Sequence, residues 1–496
     1  MHFTKTTPES VGISSKQVLD FVKMLDGYHM QTHSILMARG NYLFAECYYA
    51  PIHKDFLHRM YSVSKSFVSI AVGLAITEGL IHMDDSILSY FPEFRNENTD
   101  EYYEECTVRN MLSMQSNIAS SINWWGKFER RVEAYYAQKT GKIPGTLYFY
   151  DSIGSFLLGC IIEKLTGKPF LDYLKEKVLL KIGFSKESYT LYEPGGFTVG
   201  DSGVMCTAKD LLIFARFIMN KGEWDGVQYI DRDFMEQAIS RQVNNDITGG
   251  LTSWNTNGYG FLIWKTHDDG FSLIGMGDQL AICDMKRDIV IVITSDNQGD
   301  GSARHIIFHE LYHHFLSDFS EKALPEDAEA YRALFGYLAQ KKLVHQWGAE
   351  KTEISDAVNK QVYIADENAF GITEFSLETE QNAGIIRFLK DGQVYKVPFG
   401  IGENKEISFS PVNRPKKNAM GFTEEGAYPC CASGAWVDAC TFAVKLQVID
   451  TYFGSLQILI GFKDTRATLS MRKSGQYVFE NWEGYVIGTT EKENIK

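Results

Sequence analysis

The order of strand-like and helix-like segments along the first 320 residues constrains the fold most. Residues 33–50 alternate between apolar and polar side chains around Arg39-Gly40-Asn41, which predicts a β-hairpin. Strand patterns return much later, and we expect three consecutive antiparallel strands there, at 258–266, 271–285 and 288–296, with the last turn at 285–288. The first part of the chain is therefore predicted to build one sheet from its two ends, with a large helical insertion between them.

Apolar residues at helical spacing predict the helices of this insertion and its flanks. In the segment 207–221, Thr207 and Asp210 have the spacing of a capping box, and Gly167 is placed to end the helix predicted at 153–167. The other predicted helices are 15–27, a mostly apolar helix that starts near Ser62 and is closed by Gly79, 107–116 and 304–319.

Composition changes near residue 320. Residues 324–343 are predicted to form a helix with Pro325 at its start, which could serve as a connector. Beyond it, short alternating segments separated by turn residues predict a β-sandwich or barrel of about 150 residues. We therefore expect a domain at 1–320, a helical connector at 321–344 and an all-β domain at 345–496.

Charge and hydropathy exclude several functional classes. The 496 residues carry a formal charge of −14, which disfavours binding to nucleic acid. The first residues have no apolar core of the signal-peptide type, and no run of about 18 apolar residues indicates a membrane span. We therefore expect a cytoplasmic protein that binds no membrane. Its eight cysteines match no zinc or redox spacing, so buried free thiols are expected, with a Cys430–Cys440 bridge as the alternative.

The segment YSVSKSF at 61–67 carries the main chemical signal. Ser62 and Lys65 are three residues apart where a helix is predicted to begin, so the amine can reach the hydroxyl. A neutral lysine can take the serine proton, which makes S-x-x-K a nucleophile with its own base. The alternative is an N-cap serine followed by a solvent-exposed lysine. The apolar residues after Lys65 favour the first interpretation, because burying a lysine without a purpose is costly.

A longer pattern around this segment resembles a known superfamily. The residues FLHRMYSVSKSFVSIAVGLAITEGLIHMDDS at 56–86 resemble the nucleophile segment of the serine β-lactamases and penicillin-binding proteins. They are most similar to the class C β-lactamases and their esterase and D-aminopeptidase relatives. The resemblance runs from about Pro8 to Phe319 and includes PESVGIS and TVRNMLSMQS. It implies an α/β (α+β) fold in which an antiparallel sheet flanked by helices meets a helical subdomain.

The superfamily's Y-x-N motif is matched in its surroundings by PGTLYFYDSIGSFLLG at 144–159. The resemblance gives Tyr150 the role of a proton shuttle between serine, lysine and leaving group. A core or surface aromatic in a tyrosine-rich chain is the alternative. Ser152 takes the asparagine position as a substrate-binding residue, and because a hydroxyl lacks the paired donor and acceptor of an amide, recognition of β-lactam-type amides is put in doubt.

The third motif, K/H-T/x-G on a strand, aligns with Leu273, Ile274 and Gly275, so the cationic residue is absent. The resemblance implies that Gly275 lets substrate approach the strand and that the N–H groups of Met276 and Ser62 form the oxyanion hole. The G-x-G-x-Q form, which ends at Gln279, is similar to esterase and linear-amide hydrolase branches. An ordinary edge strand with glycines at bulges is the alternative.

Aromatic residues in the irregular stretch 117–143 are further candidates. Trp124 and Trp125, together with Tyr135 and Tyr136, are placed to wall the substrate pocket. Surface aromatics without a function are the alternative interpretation.

A rival motif is HELYH at 309–313, which fits the H-E-x-x-H signature of zinc proteases. His309 and His313 could bind one metal ion, with Glu310 as base. We discount it as the catalytic centre because Ile306, Ile307, Leu311 and Phe315 explain the helix by packing inward. No downstream H or N-E-x-x partner is obvious either, although Glu326 or Glu329 could serve as a third ligand.

The sequence therefore predicts a serine hydrolase that cleaves a small ester, amide or short peptide through an acyl-enzyme on Ser62, without metal or organic cofactor. The alternative is a penicillin-binding-type sensor or binding protein that never turns over.

Overall fold

The computed structural model describes residues 2–118, 130–246, 257–267, 269–409, 427–450, 452–475 and 482–490. Within them the chain forms two compact units, the first ending at Lys342 and the second beginning at Leu343. The helix expected to connect them spans Ala328–Leu338 and belongs to the first unit. There the Tyr337 hydroxyl and the Lys341 amine contact the Asp26 carboxylate of the N-terminal helix, at 2.5 and 2.6 Å.

The first unit is built on a seven-stranded sheet whose strands come from two separate parts of the chain, residues 4–48 and 264–295. In spatial order its strands are Thr4–Lys5, Tyr42–Tyr48, Thr32–Arg39, Ile289–Ser295, Gln279–Asp284, Phe271–Gly275 and Trp264–Lys265. All neighbours are antiparallel except Thr4–Lys5, which runs parallel to the strand beside it. The predicted hairpin around Gly40 and the predicted antiparallel sheet are thus confirmed.

Two strand predictions were wrong in detail. The segment 271–285 is not one strand: it breaks at Met276-Gly277-Asp278 into the hairpin Phe271–Gly275 and Gln279–Asp284. Gly277 and Asp278 have φ angles of 73° and 68°, which is the left-handed conformation that a tight turn uses. The segment 258–266 contributes only the two-residue strand Trp264–Lys265.

Helices surround this sheet, and local capping explains several of their ends. Thr207 and Asp210 form the predicted capping box of one helix, and Gly167 ends another in the left-handed conformation. In addition to Ala328–Leu338, the first unit's α-helices are Ser15–Gly27, Ser64–Thr77, Glu101–Glu105, Val108–Leu112, Arg131–Tyr136, Ser152–Thr166, Phe170–Lys177, Ala208–Met219, Arg232–Ile239 and Ala303–Glu310, the last continuing as a π-helical turn over Leu311–Phe315.

The second unit is a closed β-barrel, which settles the sequence-based choice between sandwich and barrel. Nine strands form the ring in the described part of the chain, and it closes where Gly400 and Ile401 pair in parallel with Ser433 and Gly434. In order they are Gln393–Ile401, Ala383–Lys390, Ile372–Glu380, Val362–Ala365, Gly484–Thr489, Arg466–Ser474, Phe453–Lys463, Thr441–Ile449 and Tyr428–Trp436, with Lys405–Phe409 also paired to the last, and a short helix at Ser355–Val358 precedes them. Alternate side chains are buried, as the alternating pattern predicts.

All eight cysteines are free thiols, as expected, and the Cys430–Cys440 bridge is not formed. Seven of them are buried, whereas Cys440 is exposed. Among the described residues, no helix combines the length and the apolar character needed to cross a bilayer.

Candidate active site

Ser62 lies in a single 3₁₀ turn, Tyr61–Val63, that leads directly into the helix Ser64–Thr77. The prediction that the α-helix begins at Ser62 is therefore two residues early, and the Ser62 hydroxyl does not cap it. Tyr61 has a φ angle of 45°, a conformation that costs a non-glycine residue roughly 1–2 kcal/mol. Its ring is buried, with the Arg59 guanidinium 5.0 Å from its centre, so the surrounding structure holds this turn in place.

The Lys65 side chain is buried and points at Ser62. Its Nζ donates to Ser62 Oγ at 3.1 Å and to the backbone carbonyl of Asp201 at 2.8 Å, and only 1% of the residue is exposed. This geometry excludes the alternative of a solvent-exposed lysine after a capping serine. Ser62 itself remains partly exposed, so a substrate carbonyl can reach its hydroxyl.

A buried ion pair supports the loop that contacts Lys65. The Asp201 carboxylate accepts from Arg131 Nη1 at 3.0 Å, and both side chains are almost fully buried. The Arg131 guanidinium also lies 4.0 Å from the centre of the Phe156 ring. Next along the chain, the Ser202 carbonyl accepts from Arg59 Nε at 3.0 Å. Arg131 and Asp201 were not identified from the sequence, in which an aspartate shortly before Gly203 was the one available signal.

Tyr150 lies beside the same lysine. Lys65 Nζ is 5.2 Å from the centre of the Tyr150 ring, which stacks on Trp264 at a centroid distance of 5.4 Å. Tyr259 meets the Tyr150 ring edge-on at 6.4 Å and Trp264 at 4.9 Å. The structure thus brings together Ser62, Lys65 and Tyr150, and it adds an aromatic wall of Tyr259 and Trp264 that the sequence analysis did not identify.

Asp151 and Ser152 start the helix that follows Tyr150. Asp151 Oδ1 caps it by accepting from the Ile153 N–H at 2.9 Å, while its other oxygen is buried and has no hydrogen-bond partner among the described residues. Burial raises the pKa of Asp151 to about 6. Ser152 is the first residue of the helix and is partly exposed, and its role as a substrate-binding residue stays a prediction.

The turn that carries Met276 is fixed close to the nucleophile. At Gly275, an added Cβ would lie 2.3 Å from the Met60 carbonyl oxygen, so only glycine permits this approach of the strand to the Ser62 turn. Arg304 Nε donates to Asp278 Oδ1 at 2.6 Å, and its Nη2 donates to the Gly275 carbonyl at 3.1 Å. Arg304 was not identified from the sequence.

Gln279 was predicted to bind substrate, but its amide contacts the protein's own backbone. Nε2 donates to the carbonyls of Met276 and Ser295 at 2.9 and 2.6 Å, and Oε1 accepts from the Ser295 N–H at 3.2 Å. The residue is fully buried. This geometry gives Gln279 a role in supporting the Met276 turn.

The proposed aromatic pocket wall at 117–143 is only partly described. Trp124 and Trp125 lie outside the described residues. Tyr135 and Tyr136 are core residues of the helix Arg131–Tyr136, not surface aromatics, and the Tyr135 hydroxyl donates to Asn117 Oδ1 at 2.5 Å.

The HELYH segment has a different geometry from the zinc-protease motif. Ligand atoms of His309, Glu310 and His314 lie within 4.8 Å of one another, whereas His313 is not part of this group. Of the residues expected to pack inward, Ile307, Leu311 and Phe315 are buried, whereas Ile306 is only half-buried.

Comparison with known proteins finds relatives of this chain in sequence and in fold. A sequence profile for the Beta-lactamase family matches residues 21–311. The chain is 26% identical over 313 residues to the 6-aminohexanoate-dimer hydrolase of Paenarthrobacter ureafaciens, covering 58% of this chain and 78% of that protein. It is 23% identical over 253 residues to the N-acetylmuramyl-L-alanine amidase of Bacillus subtilis (strain 168), covering 40% of this chain and 56% of the amidase.

Among solved structures, SurE with D-Leu superposes with a TM-score of 0.50 at 16% identity, covering 79% of this chain and 94% of SurE. At this identity the likeness concerns the fold alone.

Proposed function

This chain belongs to the Beta-lactamase family, and from that premise we propose that it hydrolyses a small ester or amide through an acyl-enzyme on Ser62. The observation that carries the proposal is the Lys65 amine, which is buried and donates both to the Ser62 hydroxyl and to the Asp201 carbonyl. The Asp201 carbonyl fixes the position of this amine. In its neutral form, the amine can then take the proton of the Ser62 hydroxyl.

The reaction begins when Ser62 Oγ attacks the substrate carbonyl carbon and its proton passes to neutral Lys65. The backbone N–H groups of Ser62 and Met276 stabilise the negative charge that develops on the carbonyl oxygen. Tyr150 relays a proton to the leaving alcohol or amine, so that the bond to the leaving group breaks and the acyl-enzyme remains. Water then attacks the acyl carbon and gives a proton to Lys65, which passes it to Ser62 Oγ as the bond between Oγ and the acyl carbon breaks, so that the acid and free Ser62 are released.

The surroundings of the site favour an uncharged, partly apolar substrate. The strand positions Leu273 and Ile274 present no cation to hold a carboxylate, and both side chains are buried. Trp264 and Tyr150 supply a stacked aromatic surface next to Lys65. The names of the two sequence relatives, a dimer hydrolase and an amidase, support hydrolysis, and the second name supports an amide substrate.

The test combines covalent labelling with kinetics. A fluorophosphonate probe followed by peptide mapping is expected to label Ser62, and not Ser64 or Ser66, which are buried in the adjoining helix. With a p-nitrophenyl ester, turnover is expected to continue past one equivalent, to disappear in Ser62→Ala and to survive metal chelation. No label at Ser62 would refute the proposal. A burst of one equivalent without further turnover would indicate the non-hydrolysing sensor instead.

A further inference from the structure

The closing helix of the first unit changes its winding at its end. Its last turn, Leu311–Phe315, is π-helical, and the Leu316 N–H donates to the Leu311 carbonyl at 2.8 Å, five residues back. Such single turns occur mostly as local insertions in α-helices, frequently at functional sites. The change in winding determines which side chains beyond Glu310 share a face.

Where the α-helix meets this turn, the Glu310 carboxylate lies between two imidazoles. Glu310 Oε1 is 3.5 Å from His309 Nδ1, and Oε2 is 3.7 Å from His314 Nε2. Ligand atoms around a tetrahedral zinc ion at about 2.1 Å are separated by about 3.4 Å. One ligand atom from each of the three side chains lies within 4.8 Å of the other two, so these atoms must approach one another by up to about 1.4 Å to reach tetrahedral spacing.

The π-helical turn packs against the N-terminal helix, Ser15–Gly27. The Phe315 ring packs against Phe21 at a centroid distance of 5.3 Å, and Gln17 Nε2 donates to the Phe315 carbonyl at 2.7 Å. His309 and His314 are exposed, so an ion can enter from solvent. A cavity of about 270 Å³, lined in part by Glu310, His314 and Asp318, leaves room for water or a carboxylate as the fourth ligand.

We infer that His309, Glu310 and His314 form a binding site for a divalent transition-metal ion, with Zn²⁺ as the best fit to two imidazoles and one carboxylate. The site is separate from the serine chemistry. It also differs from the H-E-x-x-H arrangement, because His314 and not His313 is the second imidazole.

The experiment is calorimetric titration of zinc chloride into the 496-residue protein, with Cys440→Ser as the common background to remove the one exposed thiol. One zinc ion is expected to bind. His309→Gln and His314→Gln are each expected to weaken binding at least about tenfold, whereas His313→Gln, the matched control on the same turn, leaves it unchanged. Zinc is also expected to raise the melting temperature of the background protein but not that of His314→Gln.

The opposite pattern, with His313→Gln weakening binding and His314→Gln having no effect, would overturn the assignment, as would the absence of stoichiometric binding. Because ester turnover does not involve this ion, removing it with a chelator leaves turnover intact. Failure of the zinc site and failure of the serine mechanism are thus distinguishable.

Discussion

The backbone carbonyl of Asp201 accepts a 2.8 Å hydrogen bond from the Lys65 amine, shorter than the 3.1 Å contact of that amine with Ser62. Since the Asp201 carboxylate is at the same time paired with Arg131, one residue links the lysine to a buried ion pair. The position of the candidate base therefore depends on a pair of charges on other parts of the chain.

Arg131→Gln is expected to destabilise the protein by about 3–5 kcal/mol, because it leaves the Asp201 carboxylate buried without its counter-charge. The rate of Ser62 acylation by a fluorophosphonate is expected to fall as well, since the loop that contacts Lys65 loses its anchor. Urea unfolding and labelling kinetics measure the two effects. The neighbouring Arg130→Gln is the control, because its exposed pair with Glu133 contributes less than about 1 kcal/mol. Equal effects of the two variants would contradict the role of the ion pair.

Tyr150→Phe is expected to lower kcat for ester hydrolysis by about 10²–10⁴-fold, the usual contribution of a positioned proton donor. The ring and its stacking on Trp264 are retained, so the free energy of unfolding should change little. Tyr148→Phe is the matched control, since Tyr148 packs on Tyr259 at 5.4 Å without contacting Lys65. Steady-state kinetics of both variants and the wild type give the kcat values to compare. An unchanged kcat in Tyr150→Phe would rule out the phenol as proton shuttle.

Gly275→Ala is expected to reduce kcat/KM and to destabilise the protein by about 1–3 kcal/mol, because the new methyl group would collide with the Met60 carbonyl. The strand must then move away from the Ser62 turn, and the two N–H groups of the oxyanion hole separate. Gly336→Ala tests whether any added methyl group would do the same. It lies in a helix with no atom within 4 Å of its added Cβ and is expected to stabilise by about 0.5–1 kcal/mol.

Glu193→Gln is expected to stabilise the protein at neutral and alkaline pH. Burial raises the pKa of Glu193 from 4.5 to about 8, with Arg131 opposing and Asp201 adding to the rise. Between those values the folded state keeps a proton that the unfolded state releases, so wild-type stability falls as the pH rises. The glutamine variant is spared this loss, which is on the order of a few kcal/mol.

Urea unfolding of the Glu193→Gln variant and the wild type at several pH values measures the difference. It should be near zero below pH 4.5, grow as the pH rises and level off above about 8. The exposed Glu97→Gln should show no such trend. A difference independent of pH would mean that Glu193 is not responsible.

Local signals in the sequence predicted most of the first unit. The helix at Ser15–Gly27 and the capping box of Thr207 and Asp210 depend on residues within one or two turns of each other, so they can be found without knowing the fold. Ser62, Lys65 and Tyr150 were found because two short motifs carry them. The hairpin turn at 276–278 was not predicted because Met276 continues the apolar pattern of the strand, so Gly277 and Asp278 were assigned to the strand instead of to a turn.

The remaining errors concern features that only the folded chain defines. Arg131 and Asp201 form an ion pair although they are 70 positions apart in the chain, so no local sequence pattern predicts their contact. Barrel closure needs the pairing of Gly400 with Ser433, and a sandwich would have the same alternation of side chains. The proximity of His314 to Glu310 was not predicted, because the H-E-x-x-H motif assumes α-helical winding, whereas the chain adopts a π-helical turn there.

The burial of most cysteines means that their reaction with a thiol reagent reports local unfolding of the protein. Because Cys440 alone is exposed while the other seven sulfhydryl groups are enclosed in the two units, a maleimide should modify the native molecule once and stop. Further alkylation can proceed only when a unit opens. Mass spectrometry of the modified cysteines would therefore measure the opening rates of the first unit and of the β-barrel separately.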